Sequence, residues 1–346
     1  MSTTVAEPPV ISLLDVASYL PENRVSTDYF TQFARSDRMA KNVMFRSPTY
    51  RHHVAPDETA VDMIERAVAP LIERHGAAAI SDVDMLLTHV QLPDNPVLGS
   101  GPEVARRLGM RPDWVLDIHN GGCAAFVHLM QLAQQIMQSS NARSALIAVV
   151  QNSAGQAFTQ SEIRKLAQAP VPGDGCGVGL LVKSSDAPIL GIECRTYPEF
   201  AGDMNFTGFP ETDRKYWEPG KAQACIGFTE SRITKVFARG NRLVPEVALS
   251  LCGRLGVRGA DVDTFVTNQP NRLFLRNWTE ALELPKDRHP DTFDECGNLF
   301  GAGIPVTLDT ENRAGRLRTG SFVLMSAFAH AGDFAGAAAV RWGATQ

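Results

Sequence analysis

Cys123 is the side chain in this sequence best placed for covalent chemistry. It lies in VLDIHNGGCAAFVHLM, residues 115–130, which reads as a short apolar strand, a Gly-Gly turn, a cysteine and an apolar-periodic helix. Gly121 and Gly122 allow a tight turn at little steric cost. That turn places Cys123 at the first turn of the following helix, near unpaired N–H groups and the positive end of the helix dipole. Both features favour the thiolate, the nucleophilic form of cysteine. A lone cysteine is ordinarily a small buried filler. The strand, glycine pair and helix around this one point instead to a nucleophile.

The remaining cysteines, Cys176, Cys194, Cys225, Cys252 and Cys296, are scattered and show no CxxC spacing. That argues against a zinc site or a disulfide framework, and reduced thiols in a cytoplasm are expected. Cys296, close to Asn298, reads as a core or lining residue. No His, Cys or carboxylate cluster has metal-ligand spacing. With 44% apolar and 21% charged residues the chain belongs to the soluble globular class, and a net charge of −5 gives no reason to expect nucleic acid or an anionic membrane as partner. No apolar run reaches the length of a membrane span. The opening MSTTVAEPPV has neither the basic region nor the apolar core of a signal peptide and reads as a short disordered lead-in.

The elements that must position Cys123 alternate between strand and helix. Residues 10–20 read as a strand, and residues 28–50 as polar, helical in places, with a basic end at Arg46 and Arg51. Residues 59–74 carry apolar positions at helical spacing. Residues 85–87 form a buried strand, followed by a turn-rich loop from Pro93 to Pro96 and a short helix over 103–108. Another buried strand spans 144–150, and 170–182 is a glycine-rich turn entering a strand. In the second half, 189–194 is a strand, 231–256 a long amphipathic helix, and 260–274 a strand, loop and helix. Residues 293–306 are a turn opening a small-residue helix, and the last strands are 321–327 and 335–342. Residues 198–228, with Tyr216 and Trp217, read as a long irregular insertion near a pocket.

A repeat runs through this order. DVDMLLTH at 82–89 matches DVDTFVTN at 261–268, an offset of 179 residues. A similar offset carries Cys123 near Asn298, and carries the 144–150 strand near SFVLMSA. Three elements in one order indicate a duplicated α/β half. The alternation predicts mostly parallel sheets, with ligands outside the carboxyl ends of the strands. Cys123, Asn268 and Asn298 each follow a predicted strand end.

Taken together, SYLPENRVST, FRSPTYRHHVAPDET, NGGCAAF, GDGCGVGLLV, TNQPNRLF, CGNLFGAGIPVTL and SFVLMSAFAHAGDFAGAAAVRW carry a resemblance over nearly the whole length. The chain resembles the β-ketoacyl-acyl-carrier-protein synthase III branch of the thiolase superfamily. The resemblance implies an α/β thiolase fold, five-layered αβαβα, built from two duplicated halves and usually a homodimer. The halves fall at residues 1–185, with Cys123, and 186–346, with Asn268 and Asn298. Cys123 matches the acyl-accepting nucleophile, its N–H forming part of an oxyanion hole. Asn298, in CGN, matches the catalytic asparagine. Asn268 stands where the family usually has histidine, so that His-Gln-Ala-Asn becomes Asn268-Gln269-Pro270-Asn271, and Asn271 matches a contact to the pantetheine arm. Ala329–Gly332 correspond to glycines of the closing loop that supply the second oxyanion N–H. Here the loop reads AFAHAGDF, with one extra residue.

Asn268 directs the functional expectation. An amide donates a hydrogen bond but does not titrate near neutral pH. Decarboxylative condensation is therefore expected to be impaired. The leading reading is a ping-pong acyltransferase that moves an acyl group from a carrier-protein or coenzyme A thioester through Cys123 to a second nucleophile, as in secondary-metabolite tailoring. The alternatives are a decarboxylative condensing synthase, in which Asn268 is a harmless variant, and a non-catalytic synthase partner subunit. For a hydroxyl or amine acceptor, His330 is the first candidate base, against a plain surface-loop histidine. His89, the repeat partner of Asn268, is the second, against a structural role. His128, five residues after Cys123, reads as structural. Family members that load from coenzyme A stack adenine on a tryptophan that SDRMAKNVMF, residues 36–45, lacks. An acyl carrier protein is thus the favoured donor. Arg46, Arg272 and Arg276 are candidate contacts for its phosphate or its acidic helix. The loop 93–101 matches one that a family dimer inserts into its partner's acyl pocket, where Val97 and Leu98 would set chain length. No resident cofactor is expected.

Overall fold

The computed structural model describes residues 8–34, 41–209, 218, 223–227 and 230–343. Tyr216 and Trp217 lie outside the described residues, as do positions 36–40 of the tryptophan-free segment and the first seven residues.

Two sheets organise the chain. The first has the strand order Ile11–Tyr19, Gly175–Lys183, Ser144–Gln151, Met85–Val90, Trp114–Asp117. The second has the order Ile189–Thr196, Phe334–Arg341, Phe322–Ala329, Thr264–Thr267. Read in these orders, the pairings run antiparallel, antiparallel, parallel in both sheets, and the first sheet adds a further parallel edge strand. The duplication suggested by one octapeptide is thus a duplication of topology. The sheets are mixed rather than mostly parallel. The physical reason is visible at Phe322–Ala329 and Phe334–Arg341, which a four-residue turn joins as a hairpin, leaving no room for a crossover helix.

Helices fill three layers around the sheets. Ala60–His75 covers the outer face of the first sheet, and Glu230–Arg254 the outer face of the second. Ala125–Ser139 and Gly303–Arg313 lie between the sheets and touch strands of both, which gives the αβαβα sequence of layers. The apolar faces explain this order. Phe126, Leu129, Met130, Ile304, Val306 and Leu308 are fully buried in the middle layer. Met63, Ile64, Ala67, Val68 and Leu71 pack against the first sheet from outside. Leu243, Val247 and Leu251 do the same for the second. Helix ends are set locally: Thr59 and Asp62 form a reciprocal capping box at the start of Ala60–His75, and Gly76, at φ +82°, ends it. The 198–228 segment, expected to be irregular, contains an antiparallel ribbon of Asn205–Phe209 with Gln223–Gly227. No helix among the described residues is long and apolar enough to cross a membrane.

This architecture brings corresponding points of the two halves together. Cys123 and Asn298 each lead into a central helix. Asn268 directly follows the strand Thr264–Thr267, and His89 lies near the end of the matching strand Met85–Val90.

Candidate active site

A cavity of about 100 Å³ opens where the two halves meet. Cys123, Asn268, Asn298 and His330 all line it, so the four residues singled out for chemistry converge from four separate segments. Apart from Gln168, the rest of its wall is apolar, with Phe45, Phe158, Val236, Phe274 and Phe328 among its members. Met204 and Phe158 come from loops where the sequence offered no helical or strand period to reveal them.

Cys123 sits in a single 3₁₀ turn, Gly122–Ala124, and the α-helix begins only at Ala125. Gly122, at φ +48°, makes the turn possible. The expected thiolate is corrected by the surroundings. Burial among apolar groups pushes the Cys123 thiol up to about 12, and the hydrogen bond to its own backbone N–H only partly offsets this. At neutral pH the resting Cys123 side chain is a thiol.

The two asparagines differ in how they are held. Asn298 does not follow a strand; it follows the helical turn Phe293–Cys296 and forms a parallel bridge to Pro172. Its backbone N–H donates to Val171 O at 2.9 Å, and its carbonyl accepts from Gly173 N at 3.1 Å. The Phe300 N–H donates to Asn298 Oδ1 at 3.0 Å. With its oxygen occupied, the amide has its N–H groups left to offer. Asn268 is 1% exposed, and neither Nδ2 nor Oδ1 has a partner. An amide buried without hydrogen bonds is costly and marks a place where a ligand is expected.

Strain gathers at the same wall. Among the described residues four non-glycine positions have positive φ, and three of them line this cavity: Phe300 at +46°, His330 at +42° and Ala331 at +69°. Each such conformation costs on the order of 1–3 kcal/mol and persists only where its surroundings enforce it. For the His330 loop, the enforcing bonds are Gly332 N to Ala329 O at 2.7 Å, Tyr197 N to Asp333 O at 2.7 Å, and Arg239 to Ala331 O at 3.3 Å.

The other histidines stay out of the cavity lining. His89 is buried, is bonded through Nδ1 to Ile118 O at 2.8 Å, and is lowered to about 4 chiefly by burial. That leaves it a poor base. His128 is lowered by burial and packs edge-on against Phe334. Cys296 is 5% exposed in the core and does not line the cavity.

Arg46, Asn271, Arg272 and Arg276 line a separate cavity of about 380 Å³ on the protein surface. Asn271 is absorbed there as the N-cap of Arg272–Ala281, its Oδ1 accepting from Leu273 N and Phe274 N. The cap occupies its oxygen, and Nδ2, 3.5 Å from Met44 Sδ, is the part of the amide left for a contact with a pantetheine arm. Arg272 is paired with Asp294 and lies 3.6 Å from Asp291; Arg276 lies 3.7 Å from Glu280. Leu98 and Val97 lie away from their own chain's Cys123 cavity, 71% and 88% exposed on the 93–101 loop. The sequence reading missed Asp333 and Arg239, which hold the His330 loop. The only signal was the proximity of Asp333 to His330 in sequence.

Comparisons with known proteins agree on the family. The profile of 3-oxoacyl-[acyl-carrier-protein] synthase III matches residues 116–198, and that of its C-terminal part matches 252–342. A β-ketoacyl-[acyl-carrier-protein] synthase III of Methylococcus capsulatus is 28% identical over 337 residues, covering 94% of this chain and 96% of the relative. One from Alkalilimnicola ehrlichii is 26% identical over 324 residues, covering 91% and 94%. Among solved structures, the synthase III of Thermus thermophilus superposes with a TM-score of 0.82 at 22% identity, over 96% of this chain and 100% of that one. OleA of Xanthomonas campestris gives 0.79 at 17%, over 97% and 98%.

Proposed function

The chain belongs to the 3-oxoacyl-[acyl-carrier-protein] synthase III-like branch of the thiolase superfamily, and from that premise we propose that it is an acyltransferase working through a Cys123 thioester. The observation that carries this reading is the placement of Asn268. It stands beside Cys123 in the cavity as a buried, unpartnered amide, at the position where the family resemblance puts an imidazole. Two amides, Asn268 and Asn298, can donate to the oxygen of a thioester or tetrahedral intermediate. Neither can exchange a proton near neutral pH. That set suits acyl transfer better than a condensation that builds and quenches an enolate. The apolar wall suits an uncharged acyl chain.

The donor we favour is an acyl carrier protein. Arg46, Arg272 and Arg276 rim the second cavity with basic groups suited to a phosphopantetheine phosphate or an acidic helix. Among the described residues Arg46 has no carboxylate partner. The exposed Val97 and Leu98 fit a homodimer in which each loop closes the partner's pocket. Acyl transfer of this kind needs no resident cofactor, and we place it in a specialised biosynthetic role in the cytoplasm. A decarboxylative condensing activity is the second reading, favoured by the same pair of amides, since both could hold an enolate oxygen.

The test is intact-protein mass spectrometry after incubation with a panel of acyl thioesters, beside Cys123→Ala. An adduct on the wild type that the variant lacks, discharged by a hydroxyl or amine acceptor, is the expected result. Discharge by a malonyl thioester with release of carbon dioxide would replace this reading with the condensing one. No adduct with any donor would leave the chain as a non-catalytic partner subunit.

A further inference from the structure

The general base for Cys123 has to come from outside the two asparagines, and one imidazole lines the same cavity. His330 covers the backbone immediately before the nucleophile. A Cβ built on Gly122 would fall 2.7 Å from His330 Nε2, 3.0 Å from its Cε1 and 2.9 Å from Ala329 Cβ. The other ring nitrogen, Nδ1, lies 3.2 Å from Asp333 Oδ1. An ionised carboxylate only accepts hydrogen bonds, so Nδ1 carries the proton and Nε2 of the neutral ring is bare. The nitrogen free to take a proton is therefore the one turned toward the Gly122–Cys123 turn. Asp333 is itself fixed, through its carbonyl oxygen, by the Tyr197 N–H at 2.7 Å. Arg239, paired with Asp203 at 2.6 Å, holds the Ala331 carbonyl and with it the positive-φ backbone of His330 and Ala331.

We infer that Cys123, His330 and Asp333 form a proton relay, with His330 the base and Asp333 the residue that positions it. The inference deepens the acyltransferase reading and rests on it for the identity of the second substrate. In the first half-reaction His330 Nε2 takes the proton from Cys123 Sγ, and the thiolate attacks the thioester carbonyl. The carbonyl carbon–sulfur bond to the donor breaks, and the departing thiolate takes the proton from the imidazolium. In the second half-reaction Nε2 takes the proton of the acceptor hydroxyl or amine. The acceptor attacks the acyl-cysteine, and Cys123 leaves and is reprotonated. No oxidant, reductant or further reactant is needed.

The titratable neighbours are few. His89 on the strand Met85–Val90, His128 on the nucleophile helix and His119 before the glycine pair group with His330 around His89. Burial keeps His89 and His128 below the ordinary imidazole range. Arg239 faces the loop from the long helix.

The relay is tested without any acyl donor, by the rate at which iodoacetamide alkylates Cys123 between pH 5 and 10, with Cys123→Ala as background and His119→Gln as a control. The wild type is expected to show an inflection below pH 9, where a thiol without a base would show none. His330→Gly keeps the φ of +42° without strain and so preserves the loop. It is expected to lower the rate at pH 7 by roughly 100-fold and to move the inflection above pH 9. Asp333→Asn, similar in shape but uncharged, is expected to lower the rate roughly tenfold and shift the inflection. An unchanged rate and profile in either folded variant, a wild type with no inflection below pH 9, or an inflection lost in His119→Gln would overturn the relay. Because alkylation uses no thioester, imidazole-dependent alkylation with no acyl adduct would keep the relay and remove the acyltransferase reading. The converse result would do the opposite.

Discussion

The two asparagines at the cavity should respond to the same substitution with opposite sign. Asn268 is 1% exposed, with both amide atoms unpartnered. Replacing it with leucine, which shares its branching at the γ position, removes two buried unsatisfied groups. Each costs about 1–3 kcal/mol, and the larger side chain gives some of that gain back, so a net stabilisation of about 2 kcal/mol is expected. Over 346 residues the unfolding entropy is on the order of 0.7 kcal/mol/K, so Tm should rise by roughly 3 °C. Asn298→Leu instead strips the acceptor from the Phe300 N–H, bonded at 3.0 Å, in a residue itself held at φ +46°. That should cost about 1–3 kcal/mol. The assay is urea unfolding with thermal melts, alongside acyl-adduct formation measured by mass spectrometry. Both variants should acylate more slowly than the wild type. A fall of 1 kcal/mol or more in Asn268→Leu would refute the reasoning, because it would mean that this amide is hydrogen-bonded in the resting protein.

Acid should destabilise the fold. Burial holds His53, His89 and His289 at about 4 in the folded chain, against about 6.5 unfolded. Between those values the unfolded chain binds more protons, so stability is present at pH 7 and is lost as pH falls from 6.5 toward 4. Asp174, raised to about 7 by burial, works the other way by one proton. The net of roughly two protons gives a loss of roughly 3 kcal/mol per pH unit near pH 5, read by urea unfolding; a flat profile from pH 6.5 to 5 would contradict this. At the second cavity, reversing charge at Arg46, Arg272 and Arg276 should slow acylation from a carrier protein roughly tenfold and reduce its salt dependence. Acylation from a small thioester without the phosphate should be unchanged, and equal slowing of both donors would place the defect at the Cys123 cavity. Gly122→Ala should abolish alkylation of Cys123 and lower stability by about 1–3 kcal/mol, since the added methyl meets His330 and Ala329 at φ +48°; a fully reactive variant would show that the turn tolerates the methyl.

Much of this molecule is legible where period and composition are strong. The central strands and the helices at 60–75 and 230–254 follow from apolar spacing, because each buries one face or both. The pairing of halves was readable from eight residues, since a repeated strand implies repeated neighbours. Strand direction was not. Parallel and antiparallel strands share the same side-chain alternation, and only the short turn between Ala329 and Phe334 settles the question. Asn271 shows a related limit: a family position suggests a ligand contact, while its own helix claims the side chain as a cap.

The His330 loop shows the deeper limit. Composition argues against its backbone, because histidine and alanine rarely take φ values of +42° and +69°. Within the loop, the Gly332 N–H bond to Ala329 O closes the turn. The rest of the reason lies in residues far along the chain: Tyr197 bonds the Asp333 carbonyl, and Arg239, anchored on Asp203, bonds the Ala331 carbonyl. Those long-range bonds hold a conformation that local propensity opposes, and the conformation sets an imidazole over the turn that presents Cys123. If the strain is held for that purpose, cutting the anchor should release it. Arg239→Met keeps the bulk of the stem, removes both bonds, and should leave the fold intact while reducing Cys123 alkylation at pH 7 toward the level of His330→Gly. Full reactivity in Arg239→Met would mean that the loop keeps its shape without its anchor, and that its strain has nothing to do with the nucleophile.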